Sequence, residues 1–370
     1  MTTKTQCISA DSHVVEPPEL FAPLQARFGE RAPRVQDYED WGPTLNLGNG
    51  KRGIAIGNFL LANADFTSPQ ALIDRKRGYE LARPGLYDIK ARLEDQALDG
   101  VDAEVLYPSV LFHVYQIEDT EIVKATFSSY NDWLHDYCSE APDRLFPLAC
   151  VQLRDLDAAI AELERAKRMG FVGASIPCTA TTEHPYTDPW YDKFWAAAEE
   201  MNMPLAMHIF TSATPNHGLP NELAGYGLAF AGVMFTIGDL IYSGVCERFP
   251  GLCFIPTEFE TGWLGIFLNR IDWQYIRRGG ARTHGIPRLP SEYWKQNFAI
   301  TFEDDPIGIK TRDISGTSTL LWGNDYPHGD SIFPNSQRTL DRILADCTPA
   351  ERYEMTVKNV VKLYDLPFEV

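Results

Sequence analysis

The chain has 370 residues, long for one domain but within the range of a single α/β barrel with insertions, and its 44% apolar and 23% charged residues exclude a disordered polymer. A net charge of −18 excludes a phosphate-binding surface of clustered Lys and Arg, so no nucleic-acid partner is expected. Seven scattered cysteines without a Cys-x-x-Cys pair, no apolar signal core in "MTTKTQCISADSH" and no unbroken apolar run near about 18 residues lead to the expectation of a soluble cytoplasmic protein with no membrane partner.

The first apolar run, "CISAD" from Cys7, ends in Asp11-Ser12-His13. Residues i and i+2 of an extended chain share a face, so Asp11 and His13 converge while Ser12 points away. Residues 19–85 then break the pattern. "GPTLNLGNGKRGIAIGN", with Asn-Gly between short apolar alternations, predicts a β-hairpin in an insertion after the first strand, a candidate lid. Seven more runs rich in Val, Ile and Leu follow: "DAEVLYP" from Asp102, "FPLACVQL" from Phe146, "FVGASIP" from Phe171, "PLAMHIF" from Pro204, "LCFIPTE" from Leu252, "FAITFE" from Phe298 and "TLLWGND" from Thr319. Helical patterns lie between them, as in "LDAAIAELERAKRMG", where Ala159, Leu163 and Ala166 form a stripe and Gly170 supplies the stop. A Gly-, Pro- and Asn-rich excursion, "TSATPNHGLPNELAGYGLAFAG", follows the fifth run and is expected to shape substrate access. Strand and helix repeated eight times predict a parallel sheet closed into a (β/α)8 TIM barrel, with 1–370 as one domain.

In such a barrel chemistry collects at the C-terminal ends of the strands. Those positions hold Asp11 and His13, Tyr107, His208, Glu258, Glu303 and Asp325. Taken alone, each has an ordinary reading. Asp11 reads as a turn cap and His13 as a packed imidazole, His208 as a core histidine bonded to a carbonyl, and Asp325 as a turn former before Pro327. Taken together, Asp11, His13, His208 and Asp325 come from strands one, five and eight and can meet across a barrel mouth, and carboxylates with imidazoles are the ligand types of Zn²⁺ or Mn²⁺.

The order Asp-x-His after strand one, a lone His ending strand five and "GNDYPH" ending strand eight resembles the amidohydrolase superfamily. More narrowly it resembles the second amidohydrolase-related family, which includes aminocarboxymuconate semialdehyde decarboxylase and the hydroxybenzoate-type decarboxylases. "LEDQALDGVDAEVLYPS", "YNDWLHDYCSEAPDRLFPLACV", "DPWYDKFWAAAEEMNMPLAMHI", "DLIYSGVCERFPGL" and "KNVVKLYDL" extend the likeness from about Ile8 to Leu366, leaving the insertion poorly matched.

The resemblance implies a barrel of the metal-dependent hydrolase type, a small-molecule substrate, a homodimer or higher homo-oligomer, and one divalent ion, with Zn²⁺ the default and Mn²⁺ the alternative. It assigns Asp11, His13, His208 and Asp325 to that ion and proton handling to Asp325. One position departs: after strand six the decarboxylases commonly carry His, whereas "TEFETGW" places Glu258 there, able to act as base, ligand or support. That departure narrowly favours hydrolysis, in which water activated by the ion attacks a C–N, C–O or C–C bond beside a carbonyl of a small cyclic or aromatic carboxylated metabolite, with Asp325 and Glu258 catalytic. Non-oxidative decarboxylation of a small aromatic or unsaturated acid is the alternative, and a non-catalytic ligand-binding barrel the third reading. Candidate substrate contacts are His184, His328, Phe210, Trp263 and Arg83.

Overall fold

The eight apolar runs all form strands. The computed structural model describes residues 7–60, 62, 68–212, 222–283 and 285–370. In chain order the strands are β1 (Ile8–His13), β2 (Arg34–Tyr38), β3 (Gly42–Asn46), β4 (Arg52–Ala55), β5 (Ala103–Tyr107), β6 (Leu145–Cys150), β7 (Gly173–Ile176), β8 (Leu205–His208), β9 (Phe254–Thr257), β10 (Ile300–Phe302) and β11 (Leu320–Trp322). Every residue of β1 and of β5 to β11 is buried, because helices cover the outside and side chains fill the inside.

Parallel pairing runs in the order β1-β5-β6-β7-β8-β9, and β10 pairs with β11. A bridge from Phe254 to Phe298, with the Ala299 N–H donating to the Phe254 carbonyl at 3.1 Å, joins β9 to the entry of β10. Beyond β11, the Asp325 N–H donates to the Asp11 carbonyl at 2.9 Å and the His13 N–H to the Tyr326 carbonyl at 2.7 Å. The ring is thereby a closed (β/α)8 barrel, and its closure sets the first strand's Asp-x-His beside the last strand's Asn-Asp.

Helix Leu156–Arg168 follows the expected pattern: Leu156, Ala159, Leu163 and Ala166 are buried, and the Asp155 side chain accepts the Ala158 N–H. Two residues beyond its end, Gly170 takes φ +91°, which favours glycine. The insertion contains the expected hairpin, β3 with β4, plus a strand the sequence did not reveal: β2 pairs antiparallel with β3. Residues Arg34–Tyr38 are half-buried or exposed, so no apolar alternation marks them.

Of the excursion after β8, residues 213–221 lie outside the described residues. Its remainder forms helices Glu222–Gly227 and Phe230–Tyr242, the second burying Val233, Ile237, Leu240 and Ile241 on one stripe. The stretch Ala224–Tyr242 has a mean hydropathy of 1.5 and is 39% buried, so by length and composition it could cross a bilayer, a feature the search for unbroken apolar runs did not register.

Glu16, three residues past β1, is fully buried and accepts the N–H groups of Ser109, Val110 and Leu111 at 3.0, 3.1 and 3.2 Å. It thereby fixes the loop after β5 that reaches the barrel mouth. Glu16→Gln turns an NH₂ group toward one of these donors and is expected to cost about 1–3 kcal/mol. A urea midpoint unchanged from the parent protein would show that the carboxylate does not hold this loop.

Candidate active site

Asp11 and His13 share one face of β1 as their spacing requires, and both are fully buried. Ser12 faces away, donating to Asn324 Oδ1 at 2.8 Å. Asn324 also accepts from the Ser9 hydroxyl at 3.1 Å and donates to Asp99 at 3.0 Å, which fixes the turn that carries Asp325. The His13 carbonyl accepts from Arg92 at 2.9 Å, and Arg92 is itself paired inside the protein with Glu104 at 2.7 Å.

Both histidines are oriented through their outer ring nitrogens. His13 Nδ1 lies 2.7 Å from the Pro108 carbonyl and His208 Nδ1 lies 2.9 Å from the Ile209 carbonyl. A carbonyl only accepts, so each Nδ1 carries the hydrogen and each Nε2 offers a lone pair to the barrel mouth.

There the side chains converge. His13 Nε2 is 3.4 Å from Asp11 Oδ1 and 3.1 Å from Asp325 Oδ1; His208 Nε2 is 3.7 Å from Asp11 Oδ1 and 3.3 Å from Glu258 Oε2. Asp11 Oδ1, His13 Nε2, His208 Nε2, Glu258 Oε2 and Asp325 Oδ2 are all buried without a hydrogen-bond partner. Electron-rich atoms packed this way repel unless a proton or cation lies among them. Their spacing suits a metal ion, since ligands bonded at about 2.0–2.2 Å stand about 3.0–3.6 Å apart around one centre.

The same crowding governs protonation. Burial disfavours the charged forms, yet His13 and His208, when protonated, hold Asp11 below the ordinary carboxylate range. Against the same burial, Asp11 and Asp325 draw His13 up to about 10. Asp325 is pulled far below its usual value by His328 and His13 despite burial. Glu258 goes the opposite way: burial, then the charges of Asp325 and Asp11, push it well up. Glu303, at the end of β10, is raised by burial and by Asp325, Glu260 and Glu258. The mouth therefore gathers more carboxyls than can be ionised together.

Of the expected substrate contacts, His328 joins the cluster. Its Nδ1 lies 2.8 Å from Asp325 Oδ1, its ring stacks on His13 at 3.8 Å, and its Nε2 lies 2.8 Å from Ser109 Oγ. Ser109 donates its hydroxyl hydrogen to the Val14 carbonyl, so it accepts from His328 Nε2. Phe210 stacks between His113 and Tyr226. The other three are engaged elsewhere. Arg83 pairs with Asp95 and lies over Phe333; His184 pairs with Asp188 at 3.0 Å and stacks on Trp190; Trp263 donates to the Phe259 carbonyl and packs on Phe230 and Phe267.

Sequence reasoning missed Ser109, Phe112, which stacks on His208 at 4.2 Å, and Phe59 of the insertion, 5.0 Å from His328. It also missed Tyr226, which donates to Glu258 Oε1 at 3.1 Å and bonds to Asp330. Their one common signal is position, in the segments flanking strand ends. Phe210, Glu258 and Asp325 take φ of +68°, +64° and +50° just past β8, β9 and β11. Such backbone costs about 1–3 kcal/mol per residue and tends to gather at functional sites.

Residues 69–366 match the amidohydrolase family pattern. The chain belongs to the amidohydrolase family. Its β1, with Asp11 and His13, precedes the matched region, so their place in the site rests on geometry. This amidohydrolase is 28% identical over 262 residues to a gamma-resorcylate decarboxylase of Rhizobium sp. (strain MTP-10005), covering 64% of this chain and 75% of that protein. Its fold is similar to an amidohydrolase of Mycobacterium avium subsp. paratuberculosis K-10 (TM-score 0.81, 18% identity, 98% of this chain and 100% of that one). It is also similar to a dihydroxybenzoic acid decarboxylase of Polaromonas sp. JS666 solved with manganese and the inhibitor 2-nitroresorcinol (TM-score 0.69, 18% identity, 99% and 98%).

Proposed function

We propose that this amidohydrolase is a non-oxidative, divalent-metal-dependent decarboxylase of a small hydroxylated aromatic acid, with Asp11, His13, His208 and Asp325 holding the ion. The observation that carries the reading is the convergence of buried lone-pair atoms, unpartnered on Asp11, His13, His208, Glu258 and Asp325, in two adjoining groups that share His13, Asp11 with His208 on one side and Asp325 with Glu258 and His328 on the other. The decarboxylases among its relatives support carboxyl removal over the hydrolysis that Glu258 first suggested. The manganese in one of them supports Mn²⁺ over Zn²⁺.

A divalent ion bound there polarises substrate oxygens and orients the acid. The protein does the rest. Phe59 beside His328 and Phe112 beside His208 make this part of the mouth apolar, as an aromatic ring requires. Asp325, held far below its usual range, is ionised until it takes the proton of a substrate hydroxyl, and it then delivers that proton to the ring carbon that bears the carboxylate, while solvent later reprotonates the product phenolate. The new C–H bond forms, the C–C bond breaks, its electron pair returns to the ring, and CO₂ leaves. His328, 2.8 Å from Asp325, keeps a second proton site beside it.

Assay of the metal-loaded protein on a panel of hydroxybenzoates, cyclic amides and lactones tests this. CO₂ released in equal amount with the phenol is expected, and turnover of an amide or lactone without CO₂ contradicts it. The acidic mouth adds a selectivity. Glu258, Glu260 and Glu303 are all raised toward the neutral acid and Arg83 is tied to Asp95, so a second substrate carboxylate meets no cation among these groups and would be desolvated without a partner. Monocarboxylates are expected to exceed matched dicarboxylates by at least about tenfold in kcat/KM. Equal values would show that the rim does not select on charge.

A further inference from the structure

Glu258 stands where the resemblance leads one to expect histidine, and its surroundings define what it does. We propose that Glu258 is a fifth protein ligand of the same ion, binding through Oε2. This rests on the metal-dependent reading above and adds to it an oxygen-rich ligand set of three carboxylates and two imidazoles.

Two of the three roles open to this carboxylate fit the geometry poorly. A supporting carboxylate accepts the outer N–H of a ligating histidine. Here the outer nitrogens of both His13 and His208 are already bound to the carbonyls of Pro108 and Ile209. Glu258 Oε2 instead faces the inner nitrogen, His208 Nε2, at 3.3 Å. His208 Nε2 has no hydrogen in that orientation, and both atoms are buried and unpartnered, so either the carboxyl's own proton or a cation must stand between them, as at a ligand position. A general base stands clear of the ion so that its lone pair reaches substrate or water. A carboxylate oxygen of Glu258 instead groups with atoms of His13, Asp325 and His328, all within 4.8 Å of one another.

The rest of the residue is fixed so that only Oε2 is free. Oε1 accepts from the Tyr226 hydroxyl at 3.1 Å. The Glu258 N–H donates to Thr301 Oγ1 at 2.9 Å, and that hydroxyl donates onward to Asp11 Oδ2 at 3.3 Å. One threonine thus sets the spacing between two carboxylates of the cluster. The backbone at Glu258 lies in the left-handed region, φ +64°, a conformation that a glutamate adopts only when its surroundings impose it. Three carboxylates favour a hard ion such as Mn²⁺ more than a mixed four-ligand set does.

The test is Mn²⁺ titration of the metal-free wild-type protein and Glu258→Gln, followed by the resonance signal of free Mn²⁺, with the visible d–d spectrum of the Co²⁺-loaded forms. Loss of a ligand is expected to raise the Mn²⁺ Kd at least about tenfold and to change Co²⁺ band position and intensity as coordination number falls. An unchanged Co²⁺ spectrum with Kd within threefold overturns the assignment. Should the variant fail to fold, a crystal structure of the Mn²⁺-loaded wild type decides: Oε2 at about 2.0–2.4 Å from the ion is expected, and an ion bound by the other four residues with Oε2 well outside bonding distance overturns this inference alone. A protein that binds no ion overturns both readings, and a Glu258-bound ion without CO₂ release overturns only the reaction.

Discussion

Asparagine at position 325 is expected to lower kcat by about 10²–10⁴-fold at saturating Mn²⁺. Asp325 is fully buried, its backbone is tied to Asp11 across the barrel closure, and its Oδ2 has no partner within the protein. The amide of Asp325→Asn fits the same space and keeps an oxygen that can face the ion, but it has no proton to deliver to carbon. His328 stays in place through Ser109, so the loss reports the carboxyl itself. Rates are to be measured beside metal content, because a variant that has lost its ion tests a different claim. Retention of more than about a tenth of the parent kcat with the ion bound would move the proton donor elsewhere.

Stripping the ion is expected to abolish turnover and lower thermal stability, both restored by Mn²⁺. Two carboxylates and two imidazoles buried and facing one another are tolerable only with positive charge among them. Protons serve in the metal-free protein, which explains why His13 is drawn upward while Asp11 and Asp325 are held down. An ion that binds only the folded chain adds about 2.7 kcal/mol at a hundred times its Kd, a rise of about 3–6 °C in Tm for a chain of this size. The barrel should remain folded without it, since its core of buried strands is independent of the site. A Tm that ignores Mn²⁺ across a wide concentration range, with activity intact after chelation, would contradict the account.

Much of this was legible in the sequence for a simple reason. Barrel strands are buried on both faces, so they print as apolar runs, and the charged residues that end them stand out. Asp11, His13, His208 and Asp325 were found that way. Orientation was not legible: which ring nitrogen of His13 faces inward depends on the Pro108 carbonyl, which β5 pairing brings alongside. Nor were partners. Arg83 is engaged by Asp95, twelve residues on, and nothing in the sequence singles that acid out. The polar strand Arg34–Tyr38 lacks alternation, and Tyr226 reaches Glu258 from another excursion of the chain. Glu258 itself was noticed as a departure and read as a hint about the reaction. Its position beside His208 points instead to the number of ligands.

The most direct measurement is the Mn²⁺ content of exhaustively dialysed protein, wild type beside Asp11→Ala, His13→Ala, His208→Ala and Asp325→Ala, each checked for folding by circular dichroism. One shared site predicts about one ion per wild-type chain and loss of most of it from every folded variant. Wild-type protein that retains no ion, or four variants that each keep a full complement, would contradict it.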